Sequence, residues 1–147
     1  MKLMTKLYTN YSTIVMLLRI VLGIIFFAHG AQKVLGWYGG MGLSASVEMF
    51  QKNAGIPPVL FYISAFTEFL GGLFMILGFL TRIFSAGLAL NMIVAILHVH
   101  ISKGLFTSNG GFEFPLSLLV FSLCIFLIGP GSISIDRFLF KSEKTPS

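Results

Sequence analysis

The segment PPVLFYISAFTEFLGGLFMILGFLTRIFSAGLALNMIVAILHVHI, residues 57–101, contains two long apolar runs with almost nothing between them. A helix crossing the hydrocarbon layer needs about 20 mainly apolar residues. Residues 57–80 and 82–101 each meet that length, and only the turn at Thr81-Arg82 separates them. Two helices so joined form an antiparallel hairpin. Pro57-Pro58 suits a helix start, where a missing N–H costs nothing, and Gly78 suits a helix end.

Two further runs flank the hairpin, at 12–35 and 112–129; Pro115 lies near the start of the second, with Gly129-Pro130 closing it. The expected fold is therefore all-α, an integral membrane four-helix bundle forming a single domain of 147 residues. Composition agrees: 56% hydrophobic, 10% charged and a mean hydropathy of +0.92. Soluble domains carry about 25% charged residues, so water could not wet this surface all round. The first run has no cleavage site of the signal-peptide type and reads as a retained helix. The end of the chain, 142–147, reads as a flexible tail.

The formal charge of +5 does not indicate nucleic acid, because the basic residues sit at the ends of apolar runs rather than along one stripe. With an even number of spans, both termini share a side with the Thr81-Arg82 turn. That side carries Lys2, Lys6, Arg82, Arg137, Lys141 and Lys144, against Lys33, Lys52 and Lys103 on the other. Positive residues favour the cytoplasm, so the chain is expected to cross a bacterial plasma membrane several times with both termini on the cytoplasmic side. In the first outer loop Leu43, Val47 and Phe50 recur at helical spacing. They predict either a short amphipathic helix on the outer surface or a cap over the bundle.

Ionisable groups within a bilayer are costly, and each is a candidate for function. Glu68 and Asn91 fall near the midplane, and Arg19 falls nearer the cytoplasmic face. His29, Gln32, Lys33, His98, His100 and Glu113 fall toward the outer end. Helical spacing gathers these into three seams with small residues. One is Arg19, Gly23, Phe26 and Gly30; another is Ser64, Glu68, Gly71, Gly72 and Met75. The third is Gly87, Asn91, Ala95 and His98. Small residues allow close helix approach, so all three seams are expected to face inward and form one polar pocket in the outer half.

Glu68 has two structural partners within this reading, Arg19 if ionised and Asn91 if protonated; Arg19 could equally snorkel to the inner headgroups. His29 and His98 at similar heights raise haem ligation, but no spacing motif supports it. His100 and Lys103 read as interfacial. Glu113, besides being a candidate ligand contact, suits a helix N-terminus. Cys124 reads as a buried filler; being the single cysteine, it excludes an internal disulfide, a CxxC redox motif and a thiolate cluster. The residues predict no metal site.

Three stretches carry a resemblance that spans roughly residues 14–140. They are Leu18-Arg19-Ile20 through His29-Gly30-Ala31-Gln32-Lys33, Glu68-Phe69-Leu70-Gly71-Gly72 through Gly78-Phe79-Leu80-Thr81-Arg82, and Gly110-Gly111-Phe112-Glu113-Phe114-Pro115-Leu116. In this order they resemble the DoxX family of small four-helix bacterial membrane proteins, commonly described as oxidoreductases. The resemblance implies that Arg19, His29, Lys33, Glu68, Arg82 and Glu113 are the positions to watch. Relatives include a membrane subunit of thiosulfate:quinone oxidoreductase, and some members associate with redox or thiol-stress proteins.

Together these readings lead to a membrane subunit of a redox system whose pocket holds a quinone head group. His29, Gln32, Lys33 and His98 are its expected donors, and Glu68 its proton relay, with Arg19 and His29 grouped with Glu68 as the reactive set. The chain has no Rossmann fingerprint, so a partner brings the electrons. A non-catalytic assembly subunit and a small transporter stay open beside this reading, as does homo-oligomerisation.

Overall fold

The computed structural model of the protein describes residues 11–140. Lys2, Lys6, Lys141, Lys144 and the expected tail at 142–147 lie outside the described residues. The chain forms α1 (Tyr11–Val34), α2 (Gly42–Ala54), α3 (Pro58–Leu77), α4 (Thr81–Ala95), α5 (Glu113–Ile128) and α6 (Ile135–Leu139). There is no strand among the described residues.

Where the sequence led to one helix over 82–101, α4 ends at Ala95 and continues as a π-turn over Ile96–His100, then a 3-10 turn over Ile101–Lys103. Three helical stretches are long and apolar enough to cross a membrane: α1, α3 and the continuous Thr81–Lys103. The fourth, α5, has 16 residues and spans about 24 Å at 1.5 Å per residue, against a hydrocarbon core of about 30 Å. The exposed side chains of the long helices are largely apolar, among them Leu17, Ile24, Ile63, Ile83 and Leu90. An apolar exterior of this kind matches lipid rather than water.

The bundle is built of two tight pairs, α1 with α3 and α4 with α5. Glycine lets α1 meet α3 backbone to backbone. A Cβ on Gly30 would sit 2.3 Å from the amide nitrogen of Phe69, and one on Gly72 at the same distance from that of Phe27. Between the pairs lies an apolar core of Val15, Leu22, Phe26, Met75, Leu88, Met92, Leu118 and Ile125.

One end of the bundle gathers the start of α1, the 78–81 turn and the segment after α5. The Ser132 amide donates to the Ser12 carbonyl at 3.0 Å. Arg19, 1% exposed, is held there and not beside Glu68. Its guanidinium donates to the carbonyls of Met75, Ile76 (3.1 Å) and Ile133 (2.7 Å). Met75 follows Glu68 by two helical turns, about 10 Å along the axis. A helix end leaves unpaired carbonyls and a partial negative charge, and the arginine answers both. It neither pairs with Glu68 nor snorkels outward.

Asp136 completes this end. Its carboxylate accepts from the amides of Leu80 (2.6 Å) and Thr81 (2.8 Å), capping α4. No residue beside the 78–81 turn supplies a side-chain cap, so it arrives from more than fifty residues away.

Cys124 is exposed on α5 rather than buried. Its neighbours Ser122 and Ile125 take the inward positions.

Candidate functional site

At the opposite end the two pairs separate and leave a cavity of about 330 Å³. Every long element contributes. Phe26, His29 and Lys33 come from α1, Phe61, Ser64 and Glu68 from α3, Asn91 and Met92 from α4, and Phe114 and Leu118 from α5. The loop at Gly36-Gly40 turns the chain back so that α2 crosses the mouth. Its Phe50 ring packs tilted against Phe61, with centroids 5.0 Å apart, and lines the cavity. Of the two expectations for Leu43, Val47 and Phe50, a cap over the bundle is the one this contact fits.

Three helices meet at Glu68. The Lys33 ammonium lies 2.5 Å from its Oε2, and the Asn91 amide donates to its Oε1 at 2.9 Å. The carboxylate side chain is 4% exposed and the lysine 23%. A buried charge is tolerated when paired and hydrogen-bonded, and both oxygens of Glu68 are engaged. Of the two partners expected from sequence, Asn91 is present and Arg19 is replaced by Lys33. Lys33 stands one turn beyond Gly30, the point where α1 touches the α3 backbone at Phe69, so its side chain reaches back toward Glu68.

The other candidates are divided between the cavity and the rest of the molecule. His29 lines the cavity from an exposed position, its ring 6.0 Å from that of Phe114. Gln32 does not line it; its amide donates to the Tyr38 carbonyl at 3.3 Å and pins the 36–40 loop. Glu113 opens α5 and accepts from the Thr107 amide at 2.6 Å, so its charge organises the 104–113 loop. Arg82 is exposed at the far end, reaching the Leu127 carbonyl at 3.4 Å.

His98 is the clearest departure. Spacing of four and three from Asn91 put it on the inward seam, but it is exposed and does not line the cavity. Its Nδ1 bonds the Val94 carbonyl at 3.2 Å. In a regular α-helix that carbonyl serves the His98 backbone amide. A side chain that enters the i→i−4 ladder disturbs the helix, and His98 lies within the π-turn over Ile96–His100. A π-turn adds a residue per turn, so Val99 and His100 face inward in its place and line the cavity. His29 and His98 therefore do not share a cavity as a haem pair would require.

The sequence reading did not assign His100, Phe50, Thr107 or Gly110 to this site. No local signal announced the π-turn, although a His-x-His pair at a helix end offers either register.

Comparison with known proteins bears on this site. The DoxX family model matches residues 14–101, which include Lys33, Glu68, Asn91 and His100. The chain is 36% identical over 129 residues to a Bacillus subtilis protein named "Putative oxidoreductase CatD", covering 88% of this chain and 89% of that one. It is 30% identical over 138 residues to the "Inner membrane protein YqjF" of Escherichia coli, covering 86% and 92%. No solved structure was found to match.

Proposed function

The chain belongs to the DoxX family, and from that premise we propose that it is a membrane subunit of a quinone-linked redox system whose cavity holds a quinone head group. One observation carries the reading: a paired, buried carboxylate at the floor of a cavity whose other walls are mainly apolar. Ligand sites of this kind combine apolar walls with a few placed polar groups, in volumes of about 300–1,000 Å³.

The residues present fit the group. Phe26, Phe61, Met92 and Leu118 offer ring-sized apolar surface, and Lys33 has ammonium protons beyond the one spent on Glu68. A bound quinone supplies two-electron, two-proton carrier chemistry. Lys33 would donate to an oxygen of a bound head group, and Glu68 would take or give a proton beside it. Leu60, Val94 and Phe114 line the cavity and are also exposed on the bundle surface, which suits side entry of a long apolar tail.

The sequence has a single cysteine and no dinucleotide fingerprint, so a partner protein delivers the electrons. The excess of positive residues that the sequence assigns to the Thr81-Arg82 side favours a cytoplasmic position for that end, with the cavity toward the outside. One fact favours a second reading, assembly without catalysis: the Lys33–Glu68–Asn91 contacts tie α1, α3 and α4 together whatever binds above them.

Gentle detergent purification, followed by mass spectrometry of the lipid extract, tests the first reading. A stoichiometric lipid quinone, or saturable binding of decyl-benzoquinone, is the expected result. Absence of both defeats it. Glu68→Gln separates the two readings: loss of quinone binding or redox activity with the folded protein intact supports the first, and loss of the folded protein supports assembly.

A further inference from the structure

His100 lines the cavity, and its Nδ1 lies 2.6 Å from the Gly110 carbonyl oxygen. A carbonyl oxygen can only accept. The proton of the neutral ring therefore resides on Nδ1, and Nε2 carries a lone pair. Among the described residues Nε2 has no hydrogen-bond partner. The Gly110 anchor is itself fixed from both sides. The Gly110 amide donates to the Thr107 carbonyl at 2.8 Å, while the Phe112 and Glu113 amides return to Gly104 and Leu105. The loop is thus held at both ends, and the π-turn presents His100 to the cavity where a regular helix would present His98.

From this we infer that His100 Nε2 accepts a hydrogen bond from a ligand hydroxyl, which makes the preferred occupant a hydroxylated aromatic head group such as a quinol. The inference rests on the quinone-site reading and sharpens it. Lys33 is a donor, Asn91 spends an amide N–H on Glu68, and each Glu68 oxygen already accepts one hydrogen bond, whereas His100 adds a neutral ring nitrogen that is able to accept. A neutral ring with its proton committed to Gly110 gives nothing to a quinone carbonyl. It does accept from a phenolic O–H.

The test uses the full chain in detergent with three probes: decyl-benzoquinone, a long-chain 4-alkylphenol, and the methyl ether of that phenol. The ether replaces the donor proton of the phenol with a methyl group. Wild type is expected to bind the phenol on the order of three- to tenfold more tightly than the ether, the worth of one neutral hydrogen bond. His100→Asn keeps an amide N–H where Nδ1 stands, hence the Gly110 anchor, and is expected to abolish the ratio. His100→Gln places an amide oxygen near the Nε2 position and is expected to restore part of it.

Nitrogen NMR of the three histidines in wild type needs no variant. One Nε2 signal should move with the phenol and stay with the ether. A phenol-to-ether ratio that survives His100→Asn, or no histidine Nε2 response, overturns the assignment while decyl-benzoquinone binding stands. Failure of all three probes to bind wild type overturns the quinone-site reading and this one with it.

Discussion

Replacing Lys33 with Met tests the network that joins α1, α3 and α4. At 2.5 Å the gross attraction between Lys33 and Glu68 is about 7 kcal/mol for an effective dielectric of about 20. Desolvating both groups offsets much of that. What remains after one partner is lost is a carboxylate 4% exposed with the Asn91 amide as its sole partner. Breaking a buried pair in this way costs about 3–5 kcal/mol. Because Lys33 is 23% exposed, the lower end applies, so Lys33→Met should destabilise by about 3 kcal/mol.

The double variant Lys33→Met with Glu68→Gln removes the stranded charge and keeps a partner for Asn91. Its expected cost falls to about 1 kcal/mol, the scale of one neutral hydrogen bond. Reversible unfolding in mixed micelles of mild detergent and SDS, followed by circular dichroism, measures both. A single variant costing under about 1 kcal/mol, or a double variant no better than the single, refutes the buried-pair account.

Gly30→Ala forces a methyl against the α3 backbone, which cannot yield as a side chain would, so a loss of about 3 kcal/mol or more is expected in the same unfolding assay. Gly87→Ala is the contrast: its nearest neighbour would be a methyl of Thr67 at 3.6 Å, and better helix propensity should stabilise by up to about 1 kcal/mol. Asp136→Ala removes the remote cap of α4 and should cost about 1–2 kcal/mol, while hydrogen exchange quickens at Leu80 and Thr81. In a Cys124→Ser background, Lys52→Cys should react with an impermeant thiol reagent in intact cells, and Arg82→Cys only after the membrane is opened. The reverse pattern would invert the proposed orientation.

Much was legible in the sequence because lipid imposes simple rules. Apolar length marked the helices of the hairpin and the run that became α1. Glycines at regular spacing marked the faces where α1 and α3 touch, and the cost of intramembrane charge directed attention to Glu68 and Asn91. Tertiary structure decided the partners. Arg19 and Lys33 are both cations on α1, and helical spacing alone cannot say which one reaches Glu68; the crossing of α1 and α3 places Lys33 there and gives Arg19 the C-terminal end of α3. His98 and His100 are sorted by the π-turn over Ile96–His100, which breaks the period that sequence reading assumes. Asp136 caps a helix from the far end of the chain, a pairing no local pattern encodes. Periodicity reports which face of a helix is apolar, whereas the identity of the group across the interface depends on backbone approach and register.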